Sequence, residues 1–208
     1  MKYIFMTGAP GSKWSSVAKN IYFSPSIDRS DYHDDRTYYH DASGKRDLMH
    51  LGAYWDPGME FGKFFNNLHR YSKEECEQEF DRPFAPDRAG IRIVKSHVFA
   101  NNIDYLKQQW PDVPIVLVHR SDDACLGWWV KCGHFDITYP DYAEYYQNLR
   151  EMSKIIADQN RDIMKSWNFY LGRQVRTNIE LAEILGIDTP PEQYLQEYEK
   201  QDIKVKVI

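Results

Sequence analysis

The clearest signal of the fold is the segment Lys2-Tyr-Ile-Phe-Met-Thr-Gly-Ala-Pro-Gly-Ser-Lys-Trp-Ser-Ser16. An apolar run typical of a strand enters a turn of Gly and Pro, and the helix-like segment 17–21 follows. A strand–turn–helix of this kind aims backbone N–H groups and a helix N-terminus at one point. That point attracts the oxygens of phosphate or sulfate, because a helix N-terminus carries partial positive charge. The sequence therefore predicts an anion-binding loop.

The length and composition predict a single domain, spanning 1–208, that does not bind nucleic acid. A chain of 208 residues is long enough to bury a full core, and no linker or internal repeat divides it. The formal net charge is −5, whereas a nucleic-acid binder carries a basic stripe or patch. Basic side chains can still cluster locally around an anion.

The cysteines and the hydropathy pattern predict a cytoplasmic protein without membrane insertion. Cys76, Cys125 and Cys132 form no CxxC pair and no secreted disulfide framework. On a helix, Cys125 and Cys132 would lie roughly 10 Å apart, which is too far for a disulfide. The chain shows no signal peptide and no apolar run of membrane-spanning length. A reducing compartment is therefore expected.

Three short apolar runs, at 3–7, 91–95 and 114–119, are predicted strands. Each is nearly continuous rather than alternating, which is typical of strands buried on both faces of a parallel sheet. A fourth strand is predicted near 36–40. Helical segments separate the strands, so the predicted fold is α/β, with three layers and a central parallel β-sheet flanked by helices.

Hydrophobic periodicity predicts a helix starting near Asp122, a long helix over 141–167 and a short helix over Asn178–Leu185 that stops at a glycine. The two prolines at 190–191 are predicted to open another short helix. The first of these helices carries an apolar stripe at i, i+3, i+4 and i+7, which is predicted to face the core. The stripe consists of Cys125, Trp128, Trp129 and Cys132.

The polar segment 24–46 is predicted to form a long irregular loop. Several of its Asp and His side chains look like metal ligands on a first pass. Their irregular spacing favours a solvated loop instead, and no metal site is predicted. The side chains are Asp31, His33, Asp34, Asp35, His40 and Asp41.

The anion-binding loop differs from the Walker A loop of kinases, G-x-x-x-x-G-K-[ST]. Lys13 stands one position early and is followed by Trp14, so the Lys-Ser/Thr pair whose hydroxyl holds Mg²⁺ is missing. The strand at 114–119 ends in His119 and Arg120 rather than in a metal-binding carboxylate. A cationic strand end attracts an anion and repels a metal. Asp122 and Asp123 follow closely, which leaves this point open.

Two further strand ends carry basic side chains. One predicted strand ends in Lys95-Ser96-His97 and another in Arg120. Ligands of open parallel sheets bind outside the carboxyl ends of the strands. We therefore expect the loop, the Lys95–His97 segment and Arg120 to converge on one edge, which would offer several anion contacts and one titratable base.

This order of features resembles the sulfotransferases that use 3′-phosphoadenosine 5′-phosphosulfate (PAPS). Cytosolic members of that family carry Lys-Thr-His at a strand end, which Lys95-Ser96-His97 resembles, and later a strand ending in Arg, which 114–120 resembles. Gly8-Ala-Pro-Gly-Ser12 looks like the Gly-x-Pro-x-Ser start of the family's 5′-phosphosulfate loop. The segment 181–187 looks like the short family helix that ends in Leu-Gly-Ile. The resemblance implies a fold like that of the P-loop nucleotide hydrolases.

The resemblance implies sulfuryl transfer from PAPS to a hydroxyl or amine of a small-molecule or carbohydrate acceptor, without a metal. His97 would be the general base. Lys13 and Lys95 would stabilise charge on the sulfuryl and bridging oxygens. Arg120 would pair with the 3′-phosphate. The 5′-phosphate loop would consist of Gly11, Ser12, Lys13, Trp14, Ser15 and Ser16, where Trp14 either stacks near the adenine or covers the helix.

The acceptor site is expected in the aromatic segment 50–61, which also contains Gly and Pro. Tyr54, Trp55 and Glu60 are the candidates for an aromatic wall beside the sulfuryl group. The alternative interpretation of this segment is a plain turn that leads into a helix at 59–68.

Two positions depart from the family pattern, and the C-terminal Gly-rich basic motif of cytosolic animal members is absent, which keeps other functions open. Gly11 stands where the family usually has a basic residue, and Leu126-Gly127-Trp128 stands where it has a serine that helps hold the 3′-phosphate. One alternative is a catalytically inactive protein of the same fold that binds an anion or a partner. The other is a P-loop kinase acting on a nucleoside or metabolite.

Overall fold

A computed structural model of the chain describes residues 1–33, 38–40, 47–56, 59–131 and 148–208, and side chains at 38–40, 47–50 and 194 are left out. Its main feature is a five-stranded sheet in the order β4-β1-β5-β7-β6. The strands are β1 (Tyr3–Gly8), β4 (Arg92–Lys95), β5 (Ile115–His119), β6 (Arg173–Val175) and β7 (Lys204–Val207).

The sheet is mixed, which corrects the predicted parallel sheet. β1 pairs in parallel with both β4 and β5, so the three predicted strands are confirmed with their predicted direction. β7 runs antiparallel to both β5 and β6. The sequence Lys-Val-Lys-Val of β7 alternates in burial, with the two valines buried. That period of two is typical of antiparallel strands, and it differs from the continuous apolar runs that predict the other three strands.

The fourth predicted strand exists but lies outside this sheet. β2 (Tyr38–His40) pairs antiparallel with β3 (Asp47–His50) in a separate two-stranded sheet. The first two residues of the predicted range, 36–37, lie outside the described residues. β2 lies within the polar segment 24–46, which the sequence predicted to be irregular, and β3 directly follows that segment.

Helices precede or follow most strands, and their predicted positions are largely confirmed. The helix predicted near Asp122 starts there, and the long helix starts at Leu149, with 141–147 outside the described residues. Short 3₁₀ turns cover Phe65–Arg70, Val98–Asn102, Glu192–Tyr194 and Glu199–Gln201. The α-helices are α1 (Trp14–Tyr22), α2 (Lys73–Asp81), α3 (Ile103–Gln109), α4 (Asp122–Lys131), α5 (Leu149–Phe169) and α6 (Asn178–Leu185).

The ends of α6 follow from local chemistry. At its start, the Thr177 hydroxyl accepts a hydrogen bond from the backbone N–H of Glu180, at 3.2 Å. At its end, Gly186 adopts a left-handed conformation with φ of 64°, which glycine tolerates without steric cost. The sequence therefore determines both ends of this helix.

Two apolar clusters cover the two faces of the main sheet. Alternate residues of β1 face opposite ways: Ile4 and Met6 pack with α1 and α6, whereas Tyr3 and Phe5 pack with α2 and α3. Because both faces of β1, β4 and β5 are buried, these strands read as continuous apolar runs. Within the described ranges, no helix combines the length and the apolar character that crossing a membrane would require.

Because β7 lies inside the sheet, truncating its buried side chain at Val205 is expected to destabilise the protein strongly. Val205 is fully buried and pairs with Val118 on one side and Val175 on the other. We expect Val205→Ala to lower the free energy of unfolding by roughly 1–3 kcal/mol, because it removes buried methyl groups and leaves a cavity. Denaturant unfolding measures this change. Leu171→Ala is the matched control, since Leu171 is 97% exposed, and an equal loss in both variants would contradict the placement of β7.

Candidate functional site

The predicted anion-binding loop forms a tight turn between β1 and α1. The N–H of Ser12 donates to the carbonyl oxygen of Ala9 at 3.0 Å. Gly11 and Lys13 both have positive φ, of 78° and 63°. A Cβ atom at Gly11 would lie 2.0 Å from the carbonyl oxygen of Cys125, so only glycine fits there. The loop therefore rests directly on the backbone of α4.

His97 is bonded to the start of this loop. Its Nδ1 contacts the carbonyl oxygen of Gly8, so Nδ1 carries the proton and Nε2 keeps its lone pair in the neutral ring. The side chain is 3% exposed. Burial lowers the pKa of His97 below its usual value, against the opposing effects of the Asp56 charge and the Gly8 bond. The imidazole is therefore held neutral in one tautomer beside the loop.

Asp56 is a buried carboxylate behind His97 that the sequence analysis missed. One oxygen accepts from the Ser96 hydroxyl at 3.0 Å and from the N–H of His97 at 3.1 Å. The other accepts from the Tyr54 hydroxyl at 2.9 Å. Burial raises the pKa of Asp56, and the nearby His97 opposes this shift. In the sequence, Asp56 precedes Pro and Gly and looks like an ordinary turn residue, so no spacing signal marks it.

Two aromatic rings pack against the imidazole of His97. Trp14 lies 4.9 Å from it and Tyr54 5.9 Å from it, measured between ring centroids, and both contacts are edge-on. Trp14 and Tyr54 are themselves 5.4 Å apart. Trp14 therefore covers the base and joins the loop to the segment predicted to bind the acceptor.

Lys95 points away from the loop into a polar cluster of its own. Its Nζ donates to the carbonyl oxygen of Leu51, and it lies 5.8 Å from the centre of the Tyr22 ring. Burial lowers the pKa of Lys95 to about 8, although the charge of Asp31 opposes this shift. The observed contacts of Lys95 therefore do not support its predicted role, which is to stabilise charge on the sulfuryl oxygens.

Asp31 supplies the negative charge that opposes the lowered pKa of Lys95, and its burial corrects the predicted solvated loop at this position. It is 1% exposed and accepts from the Tyr22 hydroxyl and from the N–H of Ala53, both at 2.8 Å. Burial raises its pKa, and Lys95 opposes that shift. Of the other candidate ligands in this segment, His33 is exposed. Asp34, Asp35, Asp41 and the side chain of His40 lie outside the described part.

Lys13 and Arg120 both contact the C-terminal turn. Lys13 Nζ donates to the backbone oxygen of Gln201 at 3.4 Å and to its Oε1 at 3.3 Å, and it lies 4.6 Å from the centre of the Trp128 ring. Arg120 Nε forms an ion pair with Asp202 Oδ2 at 3.4 Å. The guanidinium also donates from Nη1 to the Ala124 carbonyl oxygen at 3.1 Å. The two predicted anion ligands are thus adjacent to one chain segment.

The remaining predicted site residues separate into buried and exposed groups. Trp55 is fully buried in the second apolar cluster, where its Nε1 donates to the Glu79 carbonyl oxygen at 3.0 Å. Glu60 is exposed. Ser15 is half-buried in the first turn of α1, and the Ser16 hydroxyl accepts from Gln196 at 3.3 Å. Of the three acceptor candidates, only Tyr54 lies beside His97.

The carboxyl ends of β4, β1 and β5 meet at one edge, because these strands are parallel neighbours. This places the loop beside His97 on one side, and beside the segment from Arg120 to Cys125 on the other. Within the ranges that the structure describes, no group of three His, Cys, Asp or Glu side chains is placed to hold a metal ion. Comparisons of the chain with protein-family models, curated proteins and solved structures gave no match.

The buried hydroxyl of Ser12 is expected to destabilise the ligand-free protein. Among the described residues its Oγ is buried and has no hydrogen-bond partner, and an unmet buried hydroxyl is costly. We expect Ser12→Ala to raise the free energy of unfolding of the ligand-free protein by about 1 kcal/mol. Ser24→Ala is the control and should lower it by about 1 kcal/mol, because the Ser24 hydroxyl donates to the backbone carbonyl oxygen of Asp188 at 2.6 Å. Chemical denaturation measures both changes. An equal loss of unfolding free energy in the two variants would contradict the absence of a hydrogen bond to the Ser12 hydroxyl.

The lowered pKa of His97 predicts a specific acid sensitivity. The unfolded chain binds a proton at this ring more readily than the folded protein does, between the lowered pKa and the usual value near 6.5. Stability therefore rises with pH across this window, and the ring disfavours folding below it. Relative to His97→Asn, the wild type should lose up to about 1.4 kcal/mol more per pH unit as pH falls through the window. If the free energies of unfolding of the wild type and His97→Asn change in parallel between pH 5 and 8, this prediction is wrong.

Proposed function

We propose that the chain is a PAPS-dependent sulfotransferase with a fold like that of the P-loop nucleotide hydrolases. It would transfer a sulfuryl group to a hydroxyl or amine of a small-molecule or carbohydrate acceptor. The observation that carries the proposal is the bond between Nδ1 of His97 and the carbonyl oxygen of Gly8. This bond places a neutral base directly at the start of a loop suited to an anionic donor.

In the proposed reaction, Nε2 of His97 takes the proton of the acceptor hydroxyl or amine as that atom bonds to sulfur. The bond between sulfur and the bridging oxygen of the donor breaks, and the electron pair leaves with adenosine 3′,5′-bisphosphate. Asp56 supports the protonated ring, because its negative charge favours the protonated form. Its carboxylate also accepts from the backbone N–H of His97 at 3.1 Å, which holds this residue in place. Asp56 acts as a positioning residue and does not contact the acceptor.

Lys13 is the better candidate for the sulfuryl oxygens, because Lys95 is directed into the cluster of Asp31 and Leu51. The Lys13 side chain contacts Gln201 at two distances longer than 3.2 Å and lies over the Trp128 ring, and its residue belongs to the anion-binding loop itself. Access to His97 requires displacement of the Trp14 or the Tyr54 ring, since the imidazole is 3% exposed. Tyr54 remains the acceptor-site candidate among the three predicted residues.

Binding of the bisphosphate product tests the donor site. At 100 times its dissociation constant, adenosine 3′,5′-bisphosphate should stabilise the protein by about 2.7 kcal/mol without Mg²⁺. For a chain of this size that corresponds to a rise in Tm of about 5–10 °C. ATP with Mg²⁺ should give a smaller rise. The reverse order of the two ligands would favour the P-loop kinase.

Transfer of radiolabelled sulfate from PAPS to a broad acceptor panel then tests the chemistry. His97→Asn should reduce transfer by about 10²–10⁴-fold, the usual contribution of a general base. His69→Asn is the control, because His69 is exposed and lies in the 3₁₀ turn Phe65–Arg70, which supplies none of the proposed site residues. Bisphosphate binding without any transfer would support the inactive anion-binding protein, and transfer that survives His97→Asn would remove the proposed base.

A further inference from the structure

A cavity of about 730 Å³ opens at the C-terminal end of α1, whereas the anion-binding loop lies at the N-terminal end of that helix. A helix of nine residues is about 13 Å long, so the two places are well separated. The volume lies within the range of small-molecule sites, about 300–1,000 Å³. None of the lining residues belongs to the proposed donor or acceptor site. The cavity is therefore a separate candidate site.

The walls of this cavity are largely aromatic and aliphatic. Three of the apolar lining side chains are buried, one is half-buried and one is exposed, so the apolar surface continues from the core to the mouth. The buried ones are Tyr22, Ile27 and Leu51, and the others are Phe23 and Tyr32. Such a surface is suited to the apolar body of a ligand, which it would remove from water.

The inner wall is held in place by the buried polar cluster behind it. The Tyr22 hydroxyl donates to Asp31 Oδ1 at 2.8 Å. The carbonyl oxygen of Leu51 accepts from the Nζ of Lys95. These bonds fix two lining residues before any ligand arrives. A preformed wall lowers the entropy cost of binding, because few side chains have to be ordered.

Hydrogen bonds also join the two chain segments that carry the charged lining residues. The N–H of Asp28 donates to the carbonyl oxygen of Ile91 at 2.9 Å, and the N–H of Ile91 donates to the carbonyl oxygen of Ser26 at 2.9 Å. Arg29 follows the first of these segments and Arg88 precedes the second, and both line the cavity. The two guanidinium groups therefore come from separate segments that are bonded together at one opening.

The charge of the lining is positive. Arg29 and Arg88 are exposed, and within the described ranges neither side chain forms an ion pair. The acidic lining residue, Asp28, is buried and already satisfied. Its Oδ1 accepts from the N–H and the hydroxyl of Ser30 at 2.9 and 2.7 Å, and its Oδ2 lies 3.4 Å from Nε of the buried Arg92. Because Arg92 balances Asp28, two cations remain for an external anion, in a chain whose net charge is −5.

We propose that this cavity binds a small aromatic acid, whose ring lies against Tyr22 and Phe23 while its carboxylate pairs with Arg29 and Arg88. A guanidinium matches a carboxylate through two parallel hydrogen bonds. Inorganic phosphate would satisfy the cations but would leave the apolar walls uncovered, so the aromatic body is part of the specificity. The inference does not depend on the proposed function, because the two share no residue.

An NMR titration of the full chain with 2-naphthoate tests the site, and 2-naphthylmethanol is the neutral probe of similar shape. The methyl signal of Ile27, which lines the cavity, should shift, and that of Ile163, in the second apolar cluster, should not. The alcohol should bind about tenfold more weakly, because it lacks the charge that pairs with the guanidinium groups. 2-Naphthoate has no hydroxyl or amine, so it cannot act as a sulfuryl acceptor.

Single variants separate the contribution of charge from that of the apolar walls. Arg29→Gln and Arg88→Gln should each weaken binding of 2-naphthoate about threefold to tenfold and leave binding of the alcohol unchanged. Arg70→Gln is the matched control, because Arg70 is exposed, has no ion pair in the described part of the chain and does not line the cavity. Ala89→Trp should weaken binding of both probes at least about tenfold by filling the mouth, with Tm unchanged because Ala89 is exposed.

Each outcome supports the site or overturns it. An unshifted Ile27 signal, or unchanged binding by Ala89→Trp, overturns the site. Equal affinity for the acid and the alcohol, or an equal effect of Arg70→Gln, overturns the preference for an acid. Competition by adenosine 3′,5′-bisphosphate would place 2-naphthoate in the donor site and would also overturn the separate cavity, whereas independent binding of the two ligands supports it. Sulfate transfer is measured in its own assay, so failure of one proposal leaves the other standing.

Discussion

The hydrogen bond from Nδ1 of His97 to the carbonyl oxygen of Gly8 joins the ends of two neighbouring parallel strands. The ladder between these strands continues up to this point, where the N–H of Ser96 donates to Met6 at 3.1 Å. The last residue of β1 thus fixes both the tautomer of a base and the first position of an anion-binding loop. Any shift of β4 relative to β1 would move the imidazole and the loop apart.

Two pairs of buried ionisable side chains lie behind this edge, and the single segment 51–56 satisfies both. Its carbonyl oxygen at Leu51 meets Lys95, and its N–H at Ala53 meets Asp31. Its own Asp56 bonds the N–H of His97. A buried charge without such partners would cost several kcal/mol, roughly. Each carboxylate here has at least two donors, so the segment is pinned to the strand end that carries the candidate base.

How far the sequence predicts this site depends on whether a feature is local. The apolar runs of three strands and the end of α6 at Gly186 are properties of a few adjacent residues, and both are predicted from the sequence. Glycine is required at position 11 because the carbonyl oxygen of Cys125 approaches it, and the sequence does not reveal that contact. The sequence predicts a solvated loop around Asp31 and carries no signal that marks Asp56. These carboxylates bond Ala53 and Ser96, which lie 22 and 40 positions away along the chain, and no periodicity links such positions. Trp55 shows the opposite limit, because an aromatic residue near a site can belong wholly to the core.

Three buried strands, a turn containing glycine and basic residues at the strand ends can be predicted from the sequence, because each depends on residues that are near neighbours in the chain. The directions of those basic side chains depend on the fold. Lys95 bonds the carbonyl oxygen of Leu51, 44 positions away, and Arg120 bonds Asp202, 82 positions away. The direction of β7, set by the return of the chain beside β5, brings Asp202 there. Charges interact through space, so their partners depend on how strands are ordered in the sheet and not on their spacing in the sequence.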